Sequence, residues 1–549
     1  MGPSRRRSRR IAGMPTVELV LALLAAVTLG GAIVKWTPFP LPILLVIVGA
    51  AMSFVSGFDA IRIDPQLFLL LFIPPILFAD AYALPRRDFV RVLKPVLLLA
   101  LGLVVLTVVA IGYLLHWMIP ELPLAVAFTL GAIVSPTDAV ATVATTETLP
   151  LPARVVHIVN AESLLNDASG LVAFKLAVAA AATGLFSSAQ VAADFVVLSG
   201  GGIAVGIAIE WLGRRLWRRL LRHRAGDLTV QSLLTILIAY AAYIVAEALH
   251  VSGILAVVAA GLWASGQELM GLTPEARRHL REVWRVVQFV LNGLVFVLLG
   301  LQLRNMIAGV SAYGPLELAQ YAIVLWLALM ALRLAWVYAS AYLRFRTHWG
   351  WTGDRRGPDP RRVFLVGWAA VRGSITLATA LSVPYLTSAG MPFPYRDLVV
   401  FLAASTIILT LALNGVPLPW LIRKLAVEGD DGTALEEQTA RIETARAGAR
   451  AVERALTTLV QPEDVLFGNQ LLREYQGRIE LHGSDPVQSE ARSLRVSTRR
   501  QLRLAAIAAE RARLYEMRDR DVINDETRRV IDSELDEREI LATSTTSRG

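Results

Sequence analysis

Two carboxylates interrupt an otherwise apolar stretch of the chain, in the run Asn160-Ala161-Glu162-Ser163-Leu164-Leu165-Asn166-Asp167-Ala168-Ser169-Gly170. A charged side chain near the centre of a bilayer costs about 2.5–3.5 kcal/mol even on insertion scales, and such residues mark ion and proton pathways. On a helix Ser163 and Asp167 lie one turn apart on one face, as do Glu162 and Asn166. Asp167 is the candidate for an exchanging group. Desolvation makes any carboxylate hold a proton more tightly, so in a partly dehydrated cavity Asp167 could carry a proton or a cation, never both. Competition for one carboxylate is the simplest physical basis of antiport. The alternative is a salt bridge that only holds helices together. Ser163 offers a hydroxyl ligand, and Asn166 a neutral amide that could orient the carboxylates.

A second candidate lies in Val134-Ser135-Pro136-Thr137-Asp138-Ala139-Val140. Pro136 lacks an amide hydrogen and disrupts regular helix. Unwound backbone at membrane depth survives where it lines a cavity or is buried in protein, and it frees carbonyl oxygens that suit a hard alkali cation. Thr137 could give a hydroxyl or carbonyl ligand. Asp138 could cap a restarting half-helix or stand in the ion site. A similar interruption occurs at Val371-Arg372-Gly373-Ser374. An intramembrane arginine needs an anion, and Glu162 is the partner expected for Arg372, as a brace between crossing helices. Asp80 follows Ile73-Pro74-Pro75-Ile76-Leu77-Phe78 and either lines an access funnel or sits at the interface. Lys175 either snorkels outward or couples to the site. Asp194, Glu210, Glu247 and Arg333 are further intramembrane charges without an assigned role.

The elements that must position these residues are membrane helices. The chain has 549 residues, 55% of them hydrophobic, with formal net charge +9, and its mean hydropathy is +0.53. A 19-residue window gives about thirteen spans, near 15–34, 40–56, 66–84, 94–118, 123–147, 153–183, 189–212, 230–249, 251–267, 283–303, 317–343, 362–386 and 397–422. Interrupted helices in corresponding positions of two halves, here the fifth and twelfth spans, point to an inverted-repeat transporter. Basic residues cluster in short loops, which explains the positive charge without nucleic acid. Arg86, Arg87 and Arg91 follow the third span, Arg214 to Arg224 the seventh, Arg277 to Arg285 the ninth and Arg344 to Arg362 the eleventh. All are odd-numbered exits, so the positive-inside rule puts them, and the tail, in the cytoplasm. The N-terminal run Arg5 to Arg10 conflicts with that orientation unless the first span is miscounted, the rule is overridden or translation starts at Met14.

Three regions result: a basic tail at 1–14, a transmembrane exchanger region at 15–425 and a helical cytoplasmic region at 426–549. The last is rich in Ala, Arg, Glu and Leu at helical spacing and is read as a dimer contact or solvated tail before a ligand sensor. With no cysteine, disulfides and thiol chemistry are excluded. No P-loop, His-rich metal motif or nucleophile elbow appears, so neither an enzyme nor a cofactor is expected.

Glu162 to Asp167, Pro136 to Val140, Pro74-Pro75-Ile76-Leu77 and Arg372-Gly373 occur in an order that resembles the NhaP/NHE-type monovalent cation:proton antiporters, the cation–proton antiporter-1 family. The resemblance covers about residues 15–425. It implies an all-α fold with two crossed discontinuous helices, a dimerisation domain and a mobile core, working as a homodimer by an elevator-like motion. It also implies Na+ and proton binding at Asp167, with Ser163, Thr137 and Asp138 nearby, and a Glu162–Arg372 pair. An Asn166-Asp167 pair, in place of two aspartates, goes with electroneutral exchange. Asn292 stands near where animal exchangers carry an acid in the tenth span.

The leading expectation is exchange of Na+, with Li+ or K+ as alternatives, for H+ across a bacterial inner membrane. A K+-preferring exchanger would use the same ligands, because selectivity depends on site geometry. A gated channel or a transport-dead sensor acting through the tail would show no coupled proton movement.

Overall fold

The computed structural model describes residues 16–37, 39–55, 64–84, 89, 97–138, 153–183, 188–220, 228–266, 274–346, 359–387, 390–425, 431–458, 460–483, 486–520, 522 and 525–544. The basic tail with Met14, the loop residues Arg86, Arg87 and Arg91, and positions 139–147 of the fifth span lie outside them. The chain divides into two compact units, Met1–Gly429 and Asp430–Gly549.

The first unit is helical throughout, and its described residues contain no strand, only an isolated bridge between Leu386 and Pro392. Its helices are α1 (Thr16–Ile33), α2 (Leu41–Met52), α3 (Pro65–Ala83), α4 (Leu103–Met118, after a π-turn at Leu98–Gly102), α5 (Leu124–Val134), α6 (Ala153–Thr183), α7 (Ser188–Leu220), α8 (Leu228–Ala248), α9 (Gly253–Ser265), α10 (Pro274–Gly309), α11 (Pro315–Arg346), α12 (Pro360–Trp368), α13 (Ser374–Leu381), α14 (Arg396–Thr410) and α15 (Leu418–Leu425). Nine helical stretches among the described residues are long and apolar enough to cross a membrane, and α2, α5 and α9 are shorter apolar helices. Each expected span coincides with a helix, except that the twelfth is two half-helices, α12 and α13, and the fifth is seen only through α5 and its end. Large apolar side chains such as Val17, Leu71, Val105, Val196 and Leu237 are exposed, as lipid-facing positions must be. The chain is therefore a multi-pass membrane protein.

Local chemistry explains where the helices start and stop. Asp64 caps α3 by accepting from the amides of Gln66 and Leu67 at 2.9 and 3.0 Å, and Pro65 occupies the first turn, where its missing amide costs nothing. Asp359 caps α12 in the same way, accepting from Arg361 N at 2.9 Å with Pro360 next in line. In lipid, helices gain little from burying apolar surface against one another, so close packing carries the association. One of the tightest crossings is α2 on α10. A Cβ on Gly49 would collide with Val297 O, and one on Gly300 with Val46 O, so the two backbones touch. Two apolar clusters follow. One gathers α1, α2, α3, α8, α9 and α10; the other gathers α4, α5 and α11. α6, α13 and α14 join both: Leu164, Ile375 and Val400 lie in the first, and Phe174, Ala380 and Leu402 in the second.

The second unit contains α16 (Asp431–Leu456), α17 (Pro462–Gly483), α18 (Pro486–Asp519) and α19 (Asp525–Ser544). Tyr475 of α17 lies against Gly448 of α16. Between α18 and α19, Ile507, Leu514 and Leu535 form a small core. Beside it Arg511 donates to Asp532, Glu539 and Asp536 at 3.1, 2.6 and 2.5 Å.

Candidate functional site

α5 ends at Val134 because Pro136 cannot continue the hydrogen-bond ladder, and the described backbone runs on as non-helical chain to Asp138. Between α12 and α13 the residues Ala369–Gly373 form a second non-helical break. The two breaks meet. Asp138 N donates to Val371 O at 2.7 Å, and Asp138 Oδ2 accepts from Ser374 N at 3.2 Å. Arg372 Nε donates to Val134 O at 3.1 Å, and its Nη1 to Ala370 O at 3.3 Å. Helix ends leave orphaned amides and carbonyls, and in lipid these need partners inside the protein. Here each break supplies the other's. Asp138 thus caps α13, a helix on the other side of the crossing. Any side chain at position 373 would overlap its carboxylate, so Gly373 is what lets the breaks close.

α6 lies beside this crossing and presents the expected polar run. Ser163 Oγ donates to Thr137 O in a short hydrogen bond. Asn166 Nδ2 donates to Thr137 Oγ1 at 2.7 Å, and Asn166 Oδ1 accepts from Thr137 N at 3.4 Å. Asn166 therefore orients Thr137, where the sequence suggested that it orients the carboxylates. The approach is close because position 170 is glycine: a Cβ there would stand 2.7 Å from Pro136 Cγ and 3.0 Å from Ser135 Oγ. Thr137, Ser163, Asn166 and Asp167 are all buried. Asp167 is 4% exposed, and among the described residues no hydrogen bond or ion pair engages its carboxylate. The charges of Asp138, Asp80 and Glu162 act on it.

Glu162 does not pair with Arg372. Its partner is Arg333 of α11, with Nη1 to Oε1 at 2.5 Å and Nη2 to Oε2 at 3.1 Å. The physical reason is that Arg372 is already held by the carbonyls of both breaks, while Arg333 projects from the unbroken α11 with one long contact to a carbonyl, Val366 O at 3.4 Å, and keeps its fork for the carboxylate. Both members of the pair are almost fully buried. The rule that an intramembrane arginine needs an anion applies equally to Arg333 and was the signal for it. Lys175 pairs with Glu247 of α8 at 2.5 Å, with both side chains about one-third exposed. Asp80 is half-buried and accepts from Gln288 Nε2 of α10 at 2.6 Å.

Sequence reasoning also missed the supports of the second break. Thr410 Oγ1 accepts from Arg372 N at 3.1 Å. After α14 a π-turn at Leu411–Gly415 turns Asn414 inward, where Nδ2 donates to Trp368 O and Ala370 O at 3.2 and 3.4 Å. Trp326 Nε1 fixes that amide by donating to Asn414 Oδ1 at 3.0 Å. A polar residue near the end of an apolar span was the available sign.

The arrangement is a buried carboxylate on α6 beside two helix breaks that meet each other and bring backbone carbonyls, a hydroxyl and a further carboxylate to the same place. Such a site can exchange a proton for a small cation. Comparison with known proteins agrees. The profile of the family "Sodium/hydrogen exchanger, transmembrane" matches residues 20–424. An uncharacterized Na+/H+ exchanger of Escherichia coli (strain K12), YjcE, is 35% identical over 546 residues, covering 95% of this chain and 98% of that protein. The sodium, potassium, lithium and rubidium/H+ antiporter of Bacillus subtilis (strain 168) is 37% identical over 540 residues, covering 95% of this chain and 78% of that protein. The structure of the sodium proton antiporter MjNhaP1 from Methanocaldococcus jannaschii shares the fold, with a TM-score of 0.57 at 19% identity, covering 76% of this chain and all of that one. With the family profile running through all the membrane helices and both breaks, this chain belongs to the transmembrane sodium/hydrogen exchanger family, and is a multi-pass transporter that exchanges cations for protons.

Proposed function

We propose that the protein is an electroneutral antiporter in which Asp167 carries either one monovalent cation or one proton. One observation carries the reading. Of the two acids on α6, Glu162 is committed to Arg333, whereas Asp167, equally buried, has no partner among the described residues. A buried carboxylate without a countercharge is costly, and either a proton or a cation removes that cost. Ser163, Thr137 and Asp138 supply further oxygen, and Asn166 holds Thr137 in place.

Na+ is the proposed cargo, with Li+ and K+ as alternatives. A K+-preferring exchanger is the second reading, favoured by the broad cation range in the name of the Bacillus subtilis relative. Residues 15–425 form the exchanger and 426–549 a cytoplasmic helical region. The protein works as a homodimer in the bacterial inner membrane, by alternating access, with no cofactor beyond the transported ions.

The test is made in proteoliposomes with an imposed pH gradient. Addition of Na+, Li+ or K+ is followed by dequenching of a pH-sensitive dye, with and without a potential clamp. Dequenching that ignores the clamp supports electroneutral exchange, and a response to K+ alone supports the second reading. Asp167→Asn abolishes the signal in protein that remains folded. Full exchange by that variant overturns the carrier assignment.

A further inference from the structure

α10 meets α3 along a stripe in which every fourth residue faces the neighbour. Trp284 packs on Phe78, ring centroids 5.0 Å apart, and its Nε1 donates to Thr235 Oγ1 of α8 at 3.2 Å. Trp284 is thereby fixed, and with it the register of α10 on α3. One turn on, Gln288 falls level with Asp80 and donates the 2.6 Å hydrogen bond to its Oδ1. One further turn on is Asn292, whose Oδ1 is buried without a hydrogen-bond partner among the described residues. Asp80 is only half-buried, and its neighbours Ala79 and Ala81 pack in one cluster with Leu164 and Ala168 of α6 and Ile375 of α13, the helices that carry Asp167 and receive the Asp138 cap. Asp80 is thus more exposed than Asp167, which is 4% exposed.

We propose that Gln288 is a positioning residue for the exchange reaction: it holds Asp80 toward the Asp138–Asp167 pair, making Asp80 a second anionic stop for the incoming monovalent cation. The proposal rests on Asp167 being the carrier. An amide N–H donates to a carboxylate and leaves its charge intact, unlike an arginine or lysine, which would neutralise it and repel the cation. The neutral donor is therefore the suitable partner for a carboxylate that must attract a cation and release it.

The experiment is a double-mutant cycle on the full chain in proteoliposomes, with KM for Na+ and maximal rate measured separately. Gln288→Met keeps the side chain's length and loses the donor; it raises KM about tenfold, the scale of one hydrogen bond to a charged group, with the maximal rate within about twofold. Asp80→Asn raises KM at least as far. The double variant is no worse than Asp80→Asn alone, because Gln288 acts only through Asp80. If Gln288→Met does not fold, Gln288→Asn keeps a neutral amide, withdraws its donor from Asp80 by one methylene and must also raise KM. An unchanged KM in the folded Gln288 variant, a fall in maximal rate alone, or effects that simply multiply in the double variant overturns the proposal. Asp167→Asn run beside the cycle keeps the two readings apart. Exchange retained there removes the carrier assignment, whereas a failed cycle with an inactive Asp167→Asn removes only the role of Gln288.

Discussion

Breaking the Glu162–Arg333 pair gives the sharpest test of the site's architecture. Both side chains are nearly inaccessible, at 1% and 3% exposure, and the contact is two-pronged at 2.5 and 3.1 Å. Two charge-assisted hydrogen bonds at about 1.5–3 kcal/mol each come to about 3–6 kcal/mol, in line with the 3–5 kcal/mol found when one partner of a buried pair is removed. Arg333→Met therefore costs about 3–5 kcal/mol, since Glu162 is left buried and unpaired. Arg372 is not a ready substitute. To reach Glu162 it must release Val134 O and Ala370 O, which opens the crossing. Glu162→Met costs a similar amount. The double variant Glu162→Met/Arg333→Met is more stable than either single variant, because two apolar groups of similar size need no partner. Unfolding free energies from SDS titration in mixed micelles supply the cycle, and the expected coupling is about 3 kcal/mol. The same cycle for Glu162 with Arg372 gives a smaller coupling. A Glu162–Arg333 coupling below about 1 kcal/mol, or one smaller than that of Glu162 with Arg372, refutes the reasoning.

The other expectations concern packing and the tail. Gly373→Ala drives a methyl group into the Asp138 carboxylate, so it lowers the exchange rate by at least tenfold, about 1.4 kcal/mol of overpacking, while the protein still inserts; dye dequenching beside a membrane-fraction blot checks this. Gly170→Ala presses on Pro136 and Ser135 and lowers stability by about 1–3 kcal/mol in the same SDS titration. Asn414→Leu strips the carbonyls of Trp368 and Ala370 of their donor and leaves Trp326 Nε1 unpaired, costing about 1–3 kcal/mol. In the tail, hydrogen bonds from Arg511 to Glu539 and Asp532 and the charge of Asp536 hold its guanidinium pKa above the ordinary arginine value. Arg511→Ala speeds amide hydrogen exchange in α19 (Asp525–Ser544) and leaves α16 unchanged.

Much of the membrane fold was legible because lipid permits few choices. Apolar runs of fixed length must be helices, and charges or prolines within them must have reasons. Pro136 and Gly373 therefore announced the breaks, and Glu162 and Asp167 announced the site. The partner of Glu162 was not legible. Arg333 and Arg372 satisfy the same rule, and Arg333 is 171 positions away in the chain. What separates them is that the carbonyls of the breaks occupy Arg372, a fact that exists only after the breaks have met. Asn166 shows the same limit. Its type and spacing promised a polar contact, but Thr137 enters its reach only because Gly170 lets α6 lie against Pro136. Asn414 looked like any polar residue in an apolar span until the π-turn gave it a direction.

The glycine crossing of α2 and α10 has a mechanical consequence. Where two helices meet through side chains, rotamers can change and one helix can slide along the other in small steps. At Gly49 and Gly300 there is nothing between the backbones to rearrange. The two helices form a single spar, and with 36 residues α10 is about 54 Å long at 1.5 Å per residue. A load at one end of α10 is delivered to the other end. Relative motion has to occur along seams lined by larger, repackable side chains, and a strut of this kind serves best as the fixed rail against which other helices travel.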